Sequence, residues 1–443
     1  MDWIKLLSGR DSQDAATPDR SAFERDYDRI VFSHPFRRLQ DKTQVFPLPE
    51  QDFVHTRLTH SLEVSSVGRS LGKRVGETLL GKYPELKGYS QFDFGAIVSA
   101  ACLTHDLGNP PFGHTGEDAI SDFFKSSPQG ESYKQHVSAQ QWQDLINFEG
   151  NAQGFRILNS TGQQGLRLTE ATQAAFTKYP RHSQLGNPDK KRKSQKKYGY
   201  FHTEQDHFIQ LAGNLSLREL VPGEAWCRHP LAFLVEAADD ICYHIIDLED
   251  GCRLGLVSEV ETTDLFAQIL GEKFMPDKLK AMGGRDQRIG LLRAVSIGIL
   301  IEQCSQAFLD NEKEILGGEF DRALTDLIDS KSVLKEIITV SLERLYRSHM
   351  VLEIEAAGFE VLGGLLEAYT AAAYNMVFQP EKYSHRQIST IRLLPETLQD
   401  ALQEPGISVY QMLRYVLDFV SGLTDKHAIA LYRKLRGISL PGS

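Results

Sequence analysis

The chain has 443 residues, 41% hydrophobic and 24% charged, which is the balance of an ordinary soluble globular protein. Its formal net charge of -10 disfavours a protein built mainly to coat nucleic acid. The 5 cysteines include no CxxC pair, as is typical of reduced thiols in a cytoplasmic protein. The start of the chain lacks the apolar run of a signal peptide, and no stretch approaches the roughly 20 apolar residues that span a bilayer. We therefore expect a cytoplasmic protein that makes no membrane contact.

Apolar residues at helical spacing dominate the chain. Val64, Val67 and Leu71 begin a series that recurs every three or four residues, which predicts an amphipathic helix over residues 58–80. Further helices are predicted over residues 93–106, from near Gly113, over residues 229–249 and in several stretches within 290–374. Alternating patterns are scarce, and residues 45–46 and 198–201 fit either short strands or ordered loops. The fold class that we predict is mostly α.

Lys190 to Lys197 (KKRKSQKK) is the one compositional outlier, with six basic residues in eight. We interpret it as a solvated, mobile loop, which is the usual state of a charge run. The alternative is an anion-binding segment near an active site or a nucleic-acid contact.

Two imidazoles and two carboxylates form the most informative set of side chains: His60, the adjacent pair His105 and Asp106, and Asp239. Each lies in a predicted helix or at its end, so one helical core can bring them together. Nitrogen and oxygen donors of this kind suit Mg²⁺, Mn²⁺, Fe²⁺ or Zn²⁺. A single histidine on a helix is more often structural than a ligand, and the adjacent His-Asp pair shifts the balance towards a metal site.

Asp239 and Asp240 compete for the fourth position. Their surroundings are apolar. Burying an ionised carboxylate there costs on the order of several kcal/mol, unless the carboxylate is paired or bound to a metal. Asp239, Tyr243 and Asp247 are spaced by four residues and share one helix face. Asp240 points about 100° away. We choose Asp239 and expect Asp240 to pair with a basic neighbour.

Six separated segments carry a family resemblance. They are FRRLQDKTQVFPL from Phe36, RLTHSLEV from Arg57, HDLGNPPFGHTGE from His105, FEGNAQGFRIL from Phe148, EAADDICYHIIDLED from Glu236 and GLTDKHAIALYRKL from Gly422. In this order they resemble the deoxyguanosine triphosphate triphosphohydrolases of the HD phosphohydrolase superfamily. The resemblance implies a helical HD core with an N-terminal extension over residues 1–270. It also implies a C-terminal helical region over residues 271–443 packed on that core, or a single domain if no boundary separates them.

The resemblance also implies a reaction: metal-dependent hydrolysis of a deoxynucleoside triphosphate, dGTP first, to deoxynucleoside and tripolyphosphate. His60, His105, Asp106 and Asp239 would hold one divalent metal per site, Mg or Mn before Fe, Co or Zn. Asn109 occupies a position that is His in many HD-type enzymes, which favours a single metal. His114 and Glu117, three residues apart, would do the proton transfer.

By the same resemblance, Arg57, Lys178 and Tyr179 would contact the phosphates. Gln44, Tyr243 and Asp247 match positions that recognise the deoxyribose. A phenol stacked under the sugar leaves no space for a 2′-hydroxyl, which would favour deoxyribonucleotides. Outside this context the Lys178-Tyr179 pair carries no signal, and the alternative for Tyr243, less favoured than the sugar contact, is an ordinary core tyrosine.

Members of the family commonly form ring-shaped oligomers, often hexamers, and some bind nucleotides or single-stranded DNA as regulators. The resemblance therefore implies a homo-oligomer with such a regulator. Two alternatives stay open: another HD nucleotide phosphohydrolase (a nucleoside monophosphatase or a guanosine tetraphosphate hydrolase), or a protein that senses nucleotides or single-stranded DNA. The complete set of site residues argues against a sensor with a degenerate site.

Overall fold

The computed structural model describes residues 1–8, 20–44, 55–160, 165–184, 186, 188–347 and 349–438, with only the backbone described for residues 349 and 350. These residues fold almost entirely into α-helices, as predicted. The first helices are α1 (Trp3–Leu6), α2 (Ala22–Val31), α3 (His34–Arg38), α4 (Arg57–Lys82), α5 (Gln91–Thr104), α6 (Gly113–Ser126), α7 (Pro128–Ser132), α8 (Ala139–Ile146), α9 (Gly150–Leu158), α10 (Glu170–Phe176) and α11 (Gln205–Asn214). The antiparallel strands β1 (Glu219–Val221) and β2 (Ala225–Trp226) follow.

The second half of the chain continues the helical pattern. Its helices are α12 (Ala232–Arg253), α13 (Glu259–Leu270), α14 (Pro276–Lys280), α15 (Arg285–Asp310), α16 (Glu312–Gly317), α17 (Lys331–Val340), α18 (His349–Phe378), α19 (His385–Ile391), α20 (Glu396–Leu402), α21 (Val409–Ser421) and α22 (Asp425–Leu435). Ser341–Leu345 forms one π-helical turn between α17 and α18. No helix in the described part of the chain is long and apolar enough to cross a bilayer.

Helices α4 and α5 approach each other closely along a row of glycines. Gly68, Gly72 and Gly76 follow one another at four-residue spacing on the face of α4 that meets α5. A Cβ atom at Gly72 would lie 2.6 Å from the carbonyl oxygen of Phe94, so only glycine permits this contact. Thr56 caps α4 by accepting the Thr59 N–H at 3.4 Å. The close pair places the first turn of α4 beside the end of α5, where His60 and His105 lie.

The buried apolar residues form two clusters. The first spans Trp3 to Val351 and includes the facing sides of α4, α5, α12 and α15. The second spans Phe112 to Leu431 and joins α6, α8 and α9 to α18, α21 and α22. The division at residue 270 remains a prediction.

Two interpretations of loops are decided by the structure. Residues 198–201 form an ordered loop and no strand, while residues 45–46 lie outside the described residues. The interpretation of Lys190 to Lys197 as a solvated loop is wrong for its middle part, because Lys193–Gln195 forms a 3-10 helix with Ser194 and Gln195 buried. The cause is tertiary: Asp321 accepts hydrogen bonds from the Ser194 N–H at 3.1 Å and from its hydroxyl at 2.5 Å.

Asp425, at the start of α22, joins three separate parts of the chain. Its buried carboxylate accepts the Phe112 N–H at 3.1 Å and the Thr43 N–H at 3.0 Å, and it also binds the Thr43 hydroxyl. The backbone of Phe112 is left-handed, with φ 65°, which is uncommon for a residue other than glycine, and the contact helps to hold it there. The C-terminal helices therefore fix the turn from which α6 begins.

We predict that Asp425→Ala lowers the free energy of unfolding by about 2–3 kcal/mol, because the N–H groups of Thr43 and Phe112 lose a buried charged acceptor. Urea unfolding followed by circular dichroism measures the loss. Asp400→Ala, at an exposed position of α20, is the matched control and should change stability by less than about 0.5 kcal/mol. Equal effects of the two substitutions would contradict the role given to Asp425.

Candidate functional site

Side chains from three helices converge where α4, α5 and α12 meet. His60 extends from the first turn of α4, His105 and Asp106 directly follow α5, and Asp239 lies in the first half of α12. One donor atom from each of His60, His105 and Asp106 lies within 4.8 Å of the others. The Asp239 Oδ1 atom is 3.2 Å from Nε2 of His60 and 3.5 Å from Nε2 of His105. The four residues singled out by the sequence therefore form one cluster.

The orientation of His105 is set by a backbone hydrogen bond. Its Nδ1 lies 2.7 Å from the carbonyl oxygen of Cys102, which can only accept, so Nδ1 carries the proton. Nε2 then faces Asp239, at 3.5 Å, and Asp106, at 3.6 Å. Fixing one imidazole nitrogen so that the other is free is the usual arrangement of a metal-binding histidine.

Both carboxylates of the cluster are ionised at neutral pH. Burial alone would raise the pKa of Asp106, but Arg57 and His105 outweigh it and lower that pKa to about 2. Arg57 Nη1 donates to Asp106 Oδ2 at 2.7 Å, and Asn109 donates to Oδ1 at 2.5 Å. Burial likewise opposes the charge of Asp239, and His105 and His60 together lower its pKa. Two anionic oxygens and two imidazole nitrogens fit a divalent cation.

Asp240 has both a hydroxyl partner and basic neighbours. Its carboxylate accepts the Thr325 hydroxyl at 2.7 Å, and the charges of Lys178 and His244 act to lower its pKa. Burial and Glu236 outweigh these charges and raise the pKa of Asp240, so a neutral hydroxyl suffices as a partner. Sequence spacing indicated the direction of the side chain but not the residue that meets it.

His114 and Glu117 form a hydrogen-bonded pair at the start of α6. Nδ1 of His114 lies 2.8 Å from Oε2 of Glu117, and the imidazole is 81% exposed while the carboxylate is buried. Glu117 also accepts the Gly150 N–H at 2.6 Å. Burial would raise its pKa, but the hydrogen bond from His114 and the charge of Lys197 lower it. Glu117 thus fixes the orientation of the imidazole through Nδ1, and Nε2 remains available.

The predicted phosphate-binding residues lie beside the cluster in two groups. Arg57 is buried and bound to Asp106, and its Nε has no hydrogen-bond partner among the described residues. Lys178 Nζ lies 3.4 Å from Glu236, three residues before Asp239 on α12, and 5.9 Å from the centre of the Tyr179 ring. Burial opposes the charge of Lys178, but Glu236 outweighs it and raises the pKa, so the side chain is a cation at neutral pH.

The predicted sugar-binding residues reveal a tyrosine that sequence reasoning missed. Tyr243 stacks on Tyr346 with ring centres 5.8 Å apart and planes 23° apart, and the Tyr346 hydroxyl donates to Asp247. Tyr346 directly follows the π-helical turn, a feature that often marks functional sites. Neither periodicity nor a motif pointed to it.

Gln44 lies beside the start of α4, because Thr43 and Thr56 form an isolated β-bridge. Its Oε1 atom is buried and has no hydrogen-bond partner among the described residues.

His55 is a second residue that the sequence analysis did not single out. Its ring forms hydrogen bonds with Asp250 at 2.7 Å and Glu63 at 3.3 Å. Burial opposes the charge of His55, but these two carboxylates raise its pKa to about 10.

Comparison with known proteins agrees with this geometry. An HD domain model matches residues 57–140, and a phosphohydrolase-associated domain model matches residues 329–434. A deoxyguanosinetriphosphate triphosphohydrolase-like protein of Synechocystis sp. is 42% identical over 454 residues, covering 99% of this chain and 100% of the relative. One of Pseudomonas aeruginosa is 37% identical over 458 residues, covering 100% of both chains. A deoxyguanosinetriphosphate triphosphohydrolase of Salmonella paratyphi A is 31% identical over 485 residues and covers 94% of each.

The chain belongs to the deoxyguanosinetriphosphate triphosphohydrolase family of HD phosphohydrolases. It is therefore a metal-dependent phosphohydrolase. Within the HD domain match, residues 57–140, lie three of the four metal-site residues, His60, His105 and Asp106, and the pair His114 and Glu117. Asp239 lies outside the match and reaches the cluster through the packing of α12 on α4 and α5.

We predict a pH dependence of stability that originates at Asp247. Burial raises the pKa of Asp247 to about 7, while an unfolded aspartate titrates near 3.9. Between these values the folded protein binds more protons than the unfolded chain, so stability falls as the pH rises through this window. The free energy of unfolding should fall by on the order of 2 kcal/mol more between pH 5 and pH 8 in the unaltered protein than in Asp247→Asn.

Urea unfolding at both pH values measures this difference. Asp264→Asn, at an exposed position of α13, is the control and should keep the pH dependence of the unaltered protein. Parallel pH curves for Asp247→Asn and the unaltered protein would show that Asp247 titrates normally.

Proposed function

We propose that the protein hydrolyses a deoxynucleoside triphosphate, dGTP first, to a deoxynucleoside and tripolyphosphate. The observation that carries the proposal is the convergence of His60, His105, Asp106 and Asp239 at one point. The name of the Salmonella paratyphi A relative supports dGTP as the first substrate to test.

His60, His105, Asp106 and Asp239 would hold one divalent ion per site, with Mg and Mn ahead of Fe, Co and Zn. Such an ion supplies Lewis-acid stabilisation of a phosphoryl oxygen. The protein's part is to keep both carboxylates ionised, chiefly through Arg57 at Asp106, and to hold the His105 ring by its Nδ1 hydrogen bond so that Nε2 faces the cluster.

His114 would carry a proton between water and the leaving 5′-oxygen. Because Glu117 accepts the Nδ1 hydrogen, Nε2 is left to take or give a proton. The buried carboxylate of Glu117 also stabilises the imidazolium that forms when Nε2 takes a proton. The exposed position of the ring suits contact with a substrate that approaches from solvent.

Arg57, Lys178 and Tyr179 would offset the charge of the triphosphate. Lys178 keeps its positive charge at neutral pH through Glu236, and it remains 27% exposed, so an anion can reach it. The unpartnered Nε of Arg57 is a further donor.

Gln44, Tyr243 and Asp247 would recognise the deoxyribose. The Tyr243 ring offers a flat apolar surface that leaves no room for a 2′-hydroxyl. Asp247 and the unpartnered Oε1 of Gln44 offer acceptors for the 3′-hydroxyl. The Tyr346 hydroxyl donates a hydrogen bond to Asp247, at the carboxylate that a sugar hydroxyl would also use.

The state of the protein in the cell is part of the proposal. We expect a cytoplasmic homo-oligomer, with a hexamer first, and a nucleotide or single-stranded DNA as regulator. These expectations rest on the family resemblance.

The deciding experiment incubates the purified protein with dGTP and Mn²⁺ or Mg²⁺ and separates the phosphate products by ion-exchange chromatography. Deoxyguanosine with intact tripolyphosphate supports the proposal. Orthophosphate or pyrophosphate instead assigns the chain to a monophosphatase or guanosine tetraphosphate hydrolase activity. Absence of turnover by protein that binds metal, with added nucleotides and single-stranded DNA, favours a sensor.

We predict that His105→Ala and Asp239→Ala each lose the bound metal and the activity together, because either change removes one donor and leaves the others uncompensated. Metal content after dialysis against Mn²⁺, measured by mass spectrometry, reports the loss. Asp240→Asn is the matched control and should retain the metal. Retention by Asp239→Ala with loss by Asp240→Asn would reverse the assignment of the two aspartates.

We predict that His114→Ala keeps its metal and lowers kcat by roughly 10²–10⁴-fold, the usual contribution of a general acid or base. Steady-state hydrolysis of dGTP with parallel metal analysis separates the two effects. His385→Ala, at an exposed position of α19, should behave as the unaltered protein. A His114→Ala variant with a near-normal kcat would remove this residue from the proton transfer.

A further inference from the structure

Lys197, the last residue of the basic segment, lies between two buried carboxylates. Its Nζ atom is 3.5 Å from Oε2 of Glu117 and 3.1 Å from Oε2 of Glu149. The two glutamate side chains are 9% and 7% exposed. Glu117 belongs to α6 and Glu149 directly precedes α9, so the ammonium joins two helices beside His114.

Two carboxylates buried side by side repel each other, and each raises the pKa of the other. Glu149 shows this effect, because burial and the charge of Glu117 raise its pKa. Burial opposes the charge of Lys197 as well, but the two glutamates outweigh it and raise its pKa. The ammonium is therefore a cation that both carboxylates share, and its charge lowers the pKa of each.

We propose that Lys197 is a positioning residue for hydrolysis: its ammonium offsets the paired charges of Glu117 and Glu149, so that Glu117 stays a hydrogen-bond acceptor for His114. This inference rests on the proposed function, in which His114 transfers the proton. A protonated Glu117 would hold the Nδ1 hydrogen of His114 less firmly, and the imidazole would lose its fixed orientation.

The segment around Lys197 is built to hold it in place. Ser194 is anchored to Asp321, and the side chain of Gln195 accepts the Asp189 N–H at 2.5 Å. On the other side, the Tyr198 hydroxyl donates to the Asn147 carbonyl at 2.7 Å. With both flanks fixed, little conformational entropy remains to be lost when Lys197 meets its partners.

Other charged or titratable groups near this triad come from three neighbouring segments. They are His114 next to Glu117, Tyr179 next to Lys197, and Arg181 and Tyr198 next to Glu149. Of these, only the arginine has a fixed charge. It is not within ion-pair distance of Glu149, so Lys197 is the nearest cation to both glutamates in the described part of the chain.

The test compares pH–rate profiles for dGTP hydrolysis by the unaltered protein, Lys197→Met, Glu149→Gln and the double variant. In Lys197→Met the carboxylates retain a proton up to a higher pH, so the acidic limb of kcat should move up by about one pH unit. On the acidic limb kcat at a given pH should fall by up to about tenfold, the loss should shrink towards pH 7, and KM should change less than about threefold. In the double variant the repulsion is gone, and kcat should return to within about threefold of Glu149→Gln.

Two further variants serve as controls. Lys197→Arg keeps the charge and should retain most of the activity. Lys193→Met removes another ion-paired lysine of the same segment, 3.2 Å from Asp326, and should leave the profile unchanged. Thermal unfolding of the four proteins in the cycle gives a readout independent of turnover: Lys197→Met should lower Tm, and Glu149→Gln should restore it in the double variant.

Two results would overturn the proposal. A loss of kcat that is uniform across pH and is not recovered in the double variant would show that Lys197 only fills space. A rise in KM with unchanged kcat would show that it binds the substrate instead. If the unaltered protein makes no tripolyphosphate, the proposed function fails, and the Tm cycle alone decides whether Lys197 offsets the two glutamates.

Discussion

The concentration of carboxylates on α12 is the constraint on which the rest of the structure depends. Six acidic side chains lie within this one helix; four of them are buried and the other two, Asp239 and Asp240, are half-buried in a mostly apolar environment, so each needs a partner. The partners are Arg228 and Lys178 for Glu236, His60 and His105 for Asp239, Thr325 for Asp240, Tyr346 for Asp247, Arg253 and Arg293 for Glu249, and His55 for Asp250. Apart from Arg253, which lies on α12 itself, these partners come from elements that surround the helix, so the contacts that pair its carboxylates also bring the site residues together.

Because these partners are distant in sequence, residues from many parts of the chain contribute to the site. The HD domain match contains His114 and Glu117, yet the turn before them is held by Asp425 and the carboxylate behind them by Lys197. Asp239, Glu149 and Tyr346 also lie outside that match. The phosphohydrolase-associated match at residues 329–434 supplies Tyr346 and Asp425, so it takes part in the site as well as in the second apolar cluster.

Local sequence predicted the parts of the site that depend on local geometry. Helical spacing indicated that Asp239 and Asp247 share a face, and the three-residue interval indicated that His114 meets Glu117. Contacts between distant segments left no such signal. Tyr346 meets Tyr243 across about a hundred residues, and Lys197 is one lysine in a charge run whose burial depends on Asp321 and two glutamates. Helix content was predictable because it follows from the local spacing of apolar residues. The 3-10 helix at Lys193–Gln195 was not predictable, because it depends on the distant residue Asp321.

The glycine row on α4 has a consequence for the stiffness of the cluster. Because Gly72 brings the backbones of α4 and α5 into direct contact, no side chain lies between the two helices at that level whose rotamer changes would alter their spacing. His60 and His105 extend from the ends of these helices, with ring centres 5.3 Å apart. The spacing of the two helices, and so of the backbone positions from which the imidazoles extend, is thus set by main-chain contact. Repacking of side chains elsewhere in the core cannot bring these two helix axes closer together, whichever rotamers it selects.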